Sequence, residues 1–183
     1  LIIVACNTAT TNSISYLRKT YDIPFVGIEP AIKPASLNSK SKSIGILATR
    51  GTLSSDLFHK TSDLYTKDVS VIERVGEGLV PLIEAGKIDS LEVNELLRKF
   101  LTPMIAAQID YLVLGCTHYP YLIPQLKQIL PENVSIIDSG LAVAKQTKNI
   151  LQSNGLLNAT LNQPELKFYS NGDTTILKNI LVK

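Results

Sequence analysis

The sequence predicts an α/β fold with mainly parallel sheets. Apolar runs of strand length alternate along the chain with stretches of amphipathic helical spacing, and parallel strands need such crossovers between them. The composition is that of a folded protein, 45% apolar and 19% charged over 183 residues. It excludes a disordered or fibrous chain and fits one domain or two small lobes.

The first run, Leu1-Ile2-Ile3-Val4, opens a strand over residues 1–5 and is apolar throughout, the pattern of a strand buried on both faces. Such a strand needs neighbours on either side, so the chain reads as a fragment whose natural N-terminal part is missing. Helical spacing follows over 8–20, then a strand over 24–28. Glu29-Pro30, with Pro34, interrupts the pattern. A strand over 43–48 leads into helix 52–66. Thr49, Thr52, Ser54 and Ser55 stand at that junction, where hydroxyls cap a helix or hold a ligand carboxylate. A strand over 69–73 precedes helix 90–107, whose Leu91, Val93, Leu96, Leu97, Phe100 and Leu101 cluster on one side. Strand 111–115, helix 120–130 and strand 134–137 complete the middle. Asp138-Ser139-Gly140 is the second break, followed by helix 140–153 and a strand over 166–169. The two breaks mark a lobe boundary crossed twice. They divide the chain into a discontinuous first lobe (1–29 and 138–183, its N-terminal part missing) and a second lobe (30–137).

Charge narrows the function classes. Eighteen Lys and Arg against sixteen Asp and Glu leave a net of +2, with no basic block or stripe, so nucleic acid is not the expected partner. No apolar run approaches the roughly 18 residues of a membrane span, and no secretory leader pattern is present. Cys6 and Cys116 are far apart and form no CxxC, which suggests neither a metal site nor a disulfide framework. A reducing cytoplasm is the expected compartment.

The two cysteines share a context. Ile2-Ile3-Val4-Ala5-Cys6-Asn7-Thr8 and Leu112-Val113-Leu114-Gly115-Cys116-Thr117-His118 each place apolar residues and one small residue before a Cys, and hydrogen-bonding side chains after it. Each Cys is expected at the C-terminal end of a parallel strand, the edge where open α/β sheets bind ligands. The free N–H groups of a following helix would lower its thiol pKa. Either cysteine alone could equally be a small buried hydrophobe. Together, two thiols facing one another across a cleft suit one chemistry: a proton leaves one face of a carbon and another returns to the opposite face.

These segments resemble the two cysteine motifs of the glutamate racemases, in the cofactor-independent aspartate/glutamate racemase superfamily. The matching residues are Val4-Ala5-Cys6-Asn7-Thr8-Ala9 and Leu114-Gly115-Cys116-Thr117-His118-Tyr119-Pro120. Val26-Gly27-Ile28-Glu29-Pro30, Thr49, Thr52, Ser55, Val80-Pro81-Leu82-Ile83-Glu84 and Ile137-Asp138-Ser139-Gly140 follow in the family's order. The resemblance implies two pseudo-symmetric lobes with an active-site cleft between them, and interconversion of L- and D-glutamate for peptidoglycan. It implies that Cys6 and Cys116 are the acid/base thiols, that Glu84 and His118 assist them, and that Asn7, Thr8, Thr49, Thr52, Thr117 and His118 bind glutamate. It leaves room for a homodimer. The family's opening Asp-Ser-Gly-Val-Gly-Gly and later Pro-Tyr-Gly do not occur here, so these 183 residues alone are expected to turn over poorly. Phe58 stands where the family often has Tyr.

No cofactor is expected, because the chain shows no pyridoxal phosphate motif to serve as an electron sink. Oriented thiols, hydrogen bonds to the carboxylate and exclusion of water must then do the work. A thiol pKa near 8.5 gives access to both forms close to neutrality. His118 suits a partner to Cys116, or a helix cap; Glu84 an assisting carboxylate, or a surface one; His59 a solvated helix residue. Gly76-Glu77-Gly78 lacks the context of a dinucleotide site. The rival readings are an aspartate racemase, differing by one methylene of pocket depth, a cysteine hydrolase using Cys116 and His118, and a non-catalytic amino-acid-binding module.

Overall fold

The computed structural model describes residues 1–158, 163–172 and 174–181. Strand and helix alternate through most of it: β1 Ile2–Val4, α1 Asn7–Thr20, β2 Phe25–Gly27, α2 Ile32–Asn38 and β3 Ser43–Ala48. Then come α3 Arg50–Leu53, α4 Asp56–Tyr65, β4 Ser70–Val75, α5 Leu79–Glu84, α6 Leu91–Ala106 and β5 Tyr111–Gly115. A 3₁₀ turn, Tyr119–Leu122, leads to α7 Ile123–Ile129, β6 Ser135–Ile137, α8 Gly140–Ser153 and α9 Thr174–Leu181.

Two parallel sheets result, β1-β2 and β4-β3-β5-β6. In the larger sheet every residue of β3 is buried, as its apolar run requires of a central strand. Side chains alternate across it. Ile44, Ile46 and Val113 pack with Ile32, Ala35 and Phe58 on one face. Leu47, Leu112 and Leu114 pack with Leu97, Leu101 and Met104 on the other. A Cβ on Gly45 would stand 2.8 Å from the Met104 sulfur, so α6 lies against bare backbone there. At the opposite end of the sheet from the cysteines, Asp110 accepts from Ser39 Oγ and from the Lys40 and Ser41 amides. Burial opposes its charge, yet these bonds hold its carboxyl below the usual range.

The smaller sheet is fixed by Thr10 of α1. Its hydroxyl donates to the Val4 carbonyl at 2.9 Å and accepts from the Ile28 amide at 3.1 Å, joining β1, β2 and α1 at one point. Thr10 reaches this point because Gly27 has no side chain; a Cβ there would lie 2.4 Å from Thr10 Cγ2. Among the described strands β1 pairs with β2 alone, and it lies under α1, so Ile2 and Ile3 of its apolar run are 42% and 44% exposed.

Other boundaries shift for local reasons. Helix 52–66 breaks at Ser54 and Ser55, where the Ser55 hydroxyl caps α4 by accepting the Phe58 amide. Stretch 120–130 becomes the 3₁₀ turn and α7, with Pro120 and Pro124 in their opening positions, where a missing N–H costs little. Pro34 likewise sits in the first turn of α2, so the proline break conceals a helix. Residues 166–169 form no strand; they pair with no described strand, and Leu166 and Tyr169 are exposed.

Candidate active site

Cys6 stands between β1 and α1 as the N-cap, its Sγ accepting the Ala9 amide at 3.5 Å, and it is exposed. Cys116 follows β5 and is buried. The preceding Gly115 is required by crowding, since its Cβ would meet Ala48 Cβ at 2.6 Å. Both thiols line one cavity of about 190 Å³, with Asn7, Thr8, Thr49, Val80, Thr117 and His118. The two sheets thus each supply one thiol to a common space.

Behind Cys116 runs a three-membered relay. His118 Nδ1 lies 3.8 Å from Cys116 Sγ, and its Nε2 is 3.1 Å from Glu84 Oε1. A carboxylate at Nε2 fixes the proton there in the neutral ring, leaving Nδ1 as acceptor for the thiol proton. In the imidazolium, Nδ1–H faces and favours the thiolate. Glu84 comes from the end of α5, whose Val80 forms an apolar wall of the cavity.

On the other side, three hydroxyls close a ring. Thr8 Oγ1 is 2.7 Å from Thr49 Oγ1 and 3.1 Å from Thr52 Oγ1, and Thr49 and Thr52 are 3.0 Å apart. Thr52 is fully buried behind Thr49. Asn12 Nδ2 donates to the Gly51 carbonyl at 3.0 Å, and a Cβ on Gly51 would lie 2.7 Å from Thr8 Cγ2. Asn7 is 3% exposed and its Nδ2 has no acceptor among the described residues. An unpaired buried amide donor beside two thiols is suited to a ligand oxygen. A second cavity, of about 110 Å³, adjoins Asn7, Cys116 and Thr117 and reaches Asp138, Ser139 and Gly140. There Ser139 Oγ donates to the Glu29 carbonyl, tying the two chain breaks together.

The Asp/Glu/hydantoin racemase family model matches residues 1–147. The chain belongs to that family. A glutamate racemase of Pseudomonas syringae pv. tomato is 46% identical over 85% of this chain and 57% of its own length. One from Pseudomonas putida strain W619 is 45% identical over 98% of this chain and 68% of its own. The chain therefore spans between half and seven tenths of these racemases. Among solved structures, the glutamate racemase isoform RacE1 of Bacillus anthracis superposes with a TM-score of 0.84 at 33% identity, covering 97% of this chain and 67% of that one. Escherichia coli glutamate racemase, solved with L-glutamate and an activator, gives 0.73 at 37% identity, covering 82% and 58%.

Family membership matches the sequence resemblance, while the local geometry corrects two expectations. The cysteine contexts are not equivalent: Cys6 caps a 14-residue helix, whereas Cys116 precedes a 3₁₀ turn. Nor is the Cys116 thiol lowered. Burial pushes it up, the His118 and Tyr119 amides pull against that, and the charges of Cys6 and Glu84 add to the rise. Thr49 heads α3 without a side-chain cap bond, its hydroxyl being spent on the ring, and Ser55 does the capping. His59 is exposed, edge-on to Phe58. Val80 is apolar, so nothing in its chemistry marked it as a wall of the cavity.

The raised Cys116 pKa has a stability consequence. The native state holds a proton that the unfolded chain releases. The contribution is therefore complete below the ordinary thiol pKa and is lost as pH rises through the higher native value. Urea midpoints measured at increasing alkaline pH should fall more steeply for the parent than for Cys116→Ser; equal slopes would show that the buried thiol is not proton-linked to folding.

Proposed function

We propose that this chain carries the thiol pair and the binding groups of a cofactor-independent glutamate racemase. The single observation supporting this reading is that Cys6 and Cys116, from different sheets, line one small cavity. One thiolate removes the α-proton from one face of the bound amino acid, and its electron pair moves into the α-carbon and carboxylate. The other thiol delivers its proton to the opposite face. The products are the inverted amino acid and an enzyme with the two thiol protonation states exchanged. Asn7 and the Thr8 and Thr49 hydroxyls bind the carboxylates and stabilise the charge that develops, and Thr52, buried behind Thr49, acts through its bonds to those two hydroxyls. Thr117 borders the reacting carbon. Glu84 and His118 shift Cys116 between thiol and thiolate as the direction requires. The lobes are residues 1–29 with 138–183, and 30–137, moving about the Glu29 and Ser139 crossings. D-glutamate for peptidoglycan is the product, made in the cytoplasm, and a homodimer is the assembly we propose.

Incubation with L-glutamate in heavy water tests this. D-glutamate carrying deuterium at the α-carbon should form, slowly from these 183 residues alone, with aspartate turned over more slowly still. Faster aspartate inversion would assign the chain to that substrate, and binding of glutamate without α-exchange would make it a binding module.

A further inference from the structure

Two parts of the sequence have no place in the chemistry so far: the Tyr119 of the second cysteine motif, and Gly76-Glu77-Gly78. The structure joins them. Tyr119 is fully buried, and its hydroxyl donates to the Gly76 carbonyl at 3.0 Å. No residue but glycine fits at 76, because a Cβ there would lie 2.3 Å from the Tyr119 oxygen. Gly76 ends the β4 ladder, its amide donating to Ala48. Gly78 follows with φ +85 and turns the chain directly into α5.

That helix delivers Glu84 to His118, the residue immediately before Tyr119. The 3₁₀ segment and α5 are therefore joined at both ends. Tyr119 to Gly76 closes the N-terminal end of α5, and His118 to Glu84 closes its C-terminal end. The remaining bond to the Gly76 carbonyl, from the Leu79 amide, is long at 3.4 Å. Burial, with the nearby Cys116 charge second, pushes the phenol up, so it stays a donor throughout the range in which thiols titrate.

We propose that Tyr119 is a positioning residue for the Cys116–His118–Glu84 relay, its hydroxyl clamping Gly76 so that α5 presents Glu84 to the imidazole. Its bearing on turnover rests on the racemase reading, whereas the clamp itself can be tested without turnover. In the Cys6→Ser background Cys116 is the only thiol of the chain. Its alkylation by iodoacetamide is followed against pH in the parent, Tyr119→Phe, Glu84→Gln and the double variant. Tyr119→Phe should change the neutral-pH rate about 3- to 10-fold, the range expected for one lost hydrogen bond. The change should share the sign of the Glu84→Gln effect, and the double variant should change no further.

Amide exchange over residues 79–84 should quicken by a similar factor. Gly78→Ala, which strains the same turn without touching Tyr119, should displace Cys116 reactivity in the same sense and provides the reading if Tyr119→Phe does not fold. Additive effects of Tyr119→Phe and Glu84→Gln, or unchanged reactivity in both turn variants, would overturn the clamp. Coupling without glutamate inversion would uphold the clamp and fail the racemase reading alone.

Discussion

Cys6→Ser and Cys116→Ser are each expected to abolish glutamate inversion while sparing α-proton exchange from one enantiomer. Each thiol faces one side of the reacting carbon, and inversion needs both, whereas exchange needs only a base that returns the proton it removed. A serine hydroxyl is a far weaker acid than a thiol, so replacement removes the acid/base function rather than weakening it. Loss of general acid–base catalysis costs about 10²–10⁴-fold, and each inversion should fall by at least the upper part of that range. The two variants should exchange opposite enantiomers, as proton NMR in heavy water would read. Exchange of the same enantiomer by both, or two-way turnover by either, would refute the paired roles. Cys6→Ser also decides against the hydrolase reading, in which Cys116 alone attacks and Cys6 is dispensable.

His118→Ala is expected to lower inversion by about 10²-fold or more and to displace the pH–rate profile, because the buried Cys116 thiol then lacks the imidazole placed to take its proton. Glu84→Gln keeps a hydrogen-bonding group beside Nε2 in place of the carboxylate that holds the ring, and its loss should be smaller. With an equilibrium constant of one between enantiomers, both directions must lose kcat/KM equally. The asymmetry will therefore appear in kcat, or in exchange by the single-cysteine variants. A His118→Ala protein with the parent's pH profile would remove the imidazole from the relay.

The strands over 43–48 and 111–115 were legible to the residue because central parallel strands are apolar on both faces. The cysteines were legible because strand ends place them at the sheet's C-terminal edge. What escaped had no periodicity to read. α5 is six residues long and contains a proline, too short for a helical stripe, yet it supplies Glu84. The run 166–169 has strand composition but pairs with no described strand, so local propensity had nothing to reinforce it. Cys116 was misjudged electrostatically: the sequence displays the N–H donors after it, but not that it is buried in the apolar cluster with Leu47, Leu114 and Tyr119.

The ring of Thr8, Thr49 and Thr52 can also be considered as an equilibrium. Two of its three bonds run from α1 to the segment after β3, and the third lies within that segment. Drawing the sheets apart forfeits only the first two, at a net of about 0.5–1.5 kcal/mol each. The ring's share of the bias towards the closed arrangement is therefore about 5- to 150-fold, and the Asn12 to Gly51 bond across the same gap adds to it.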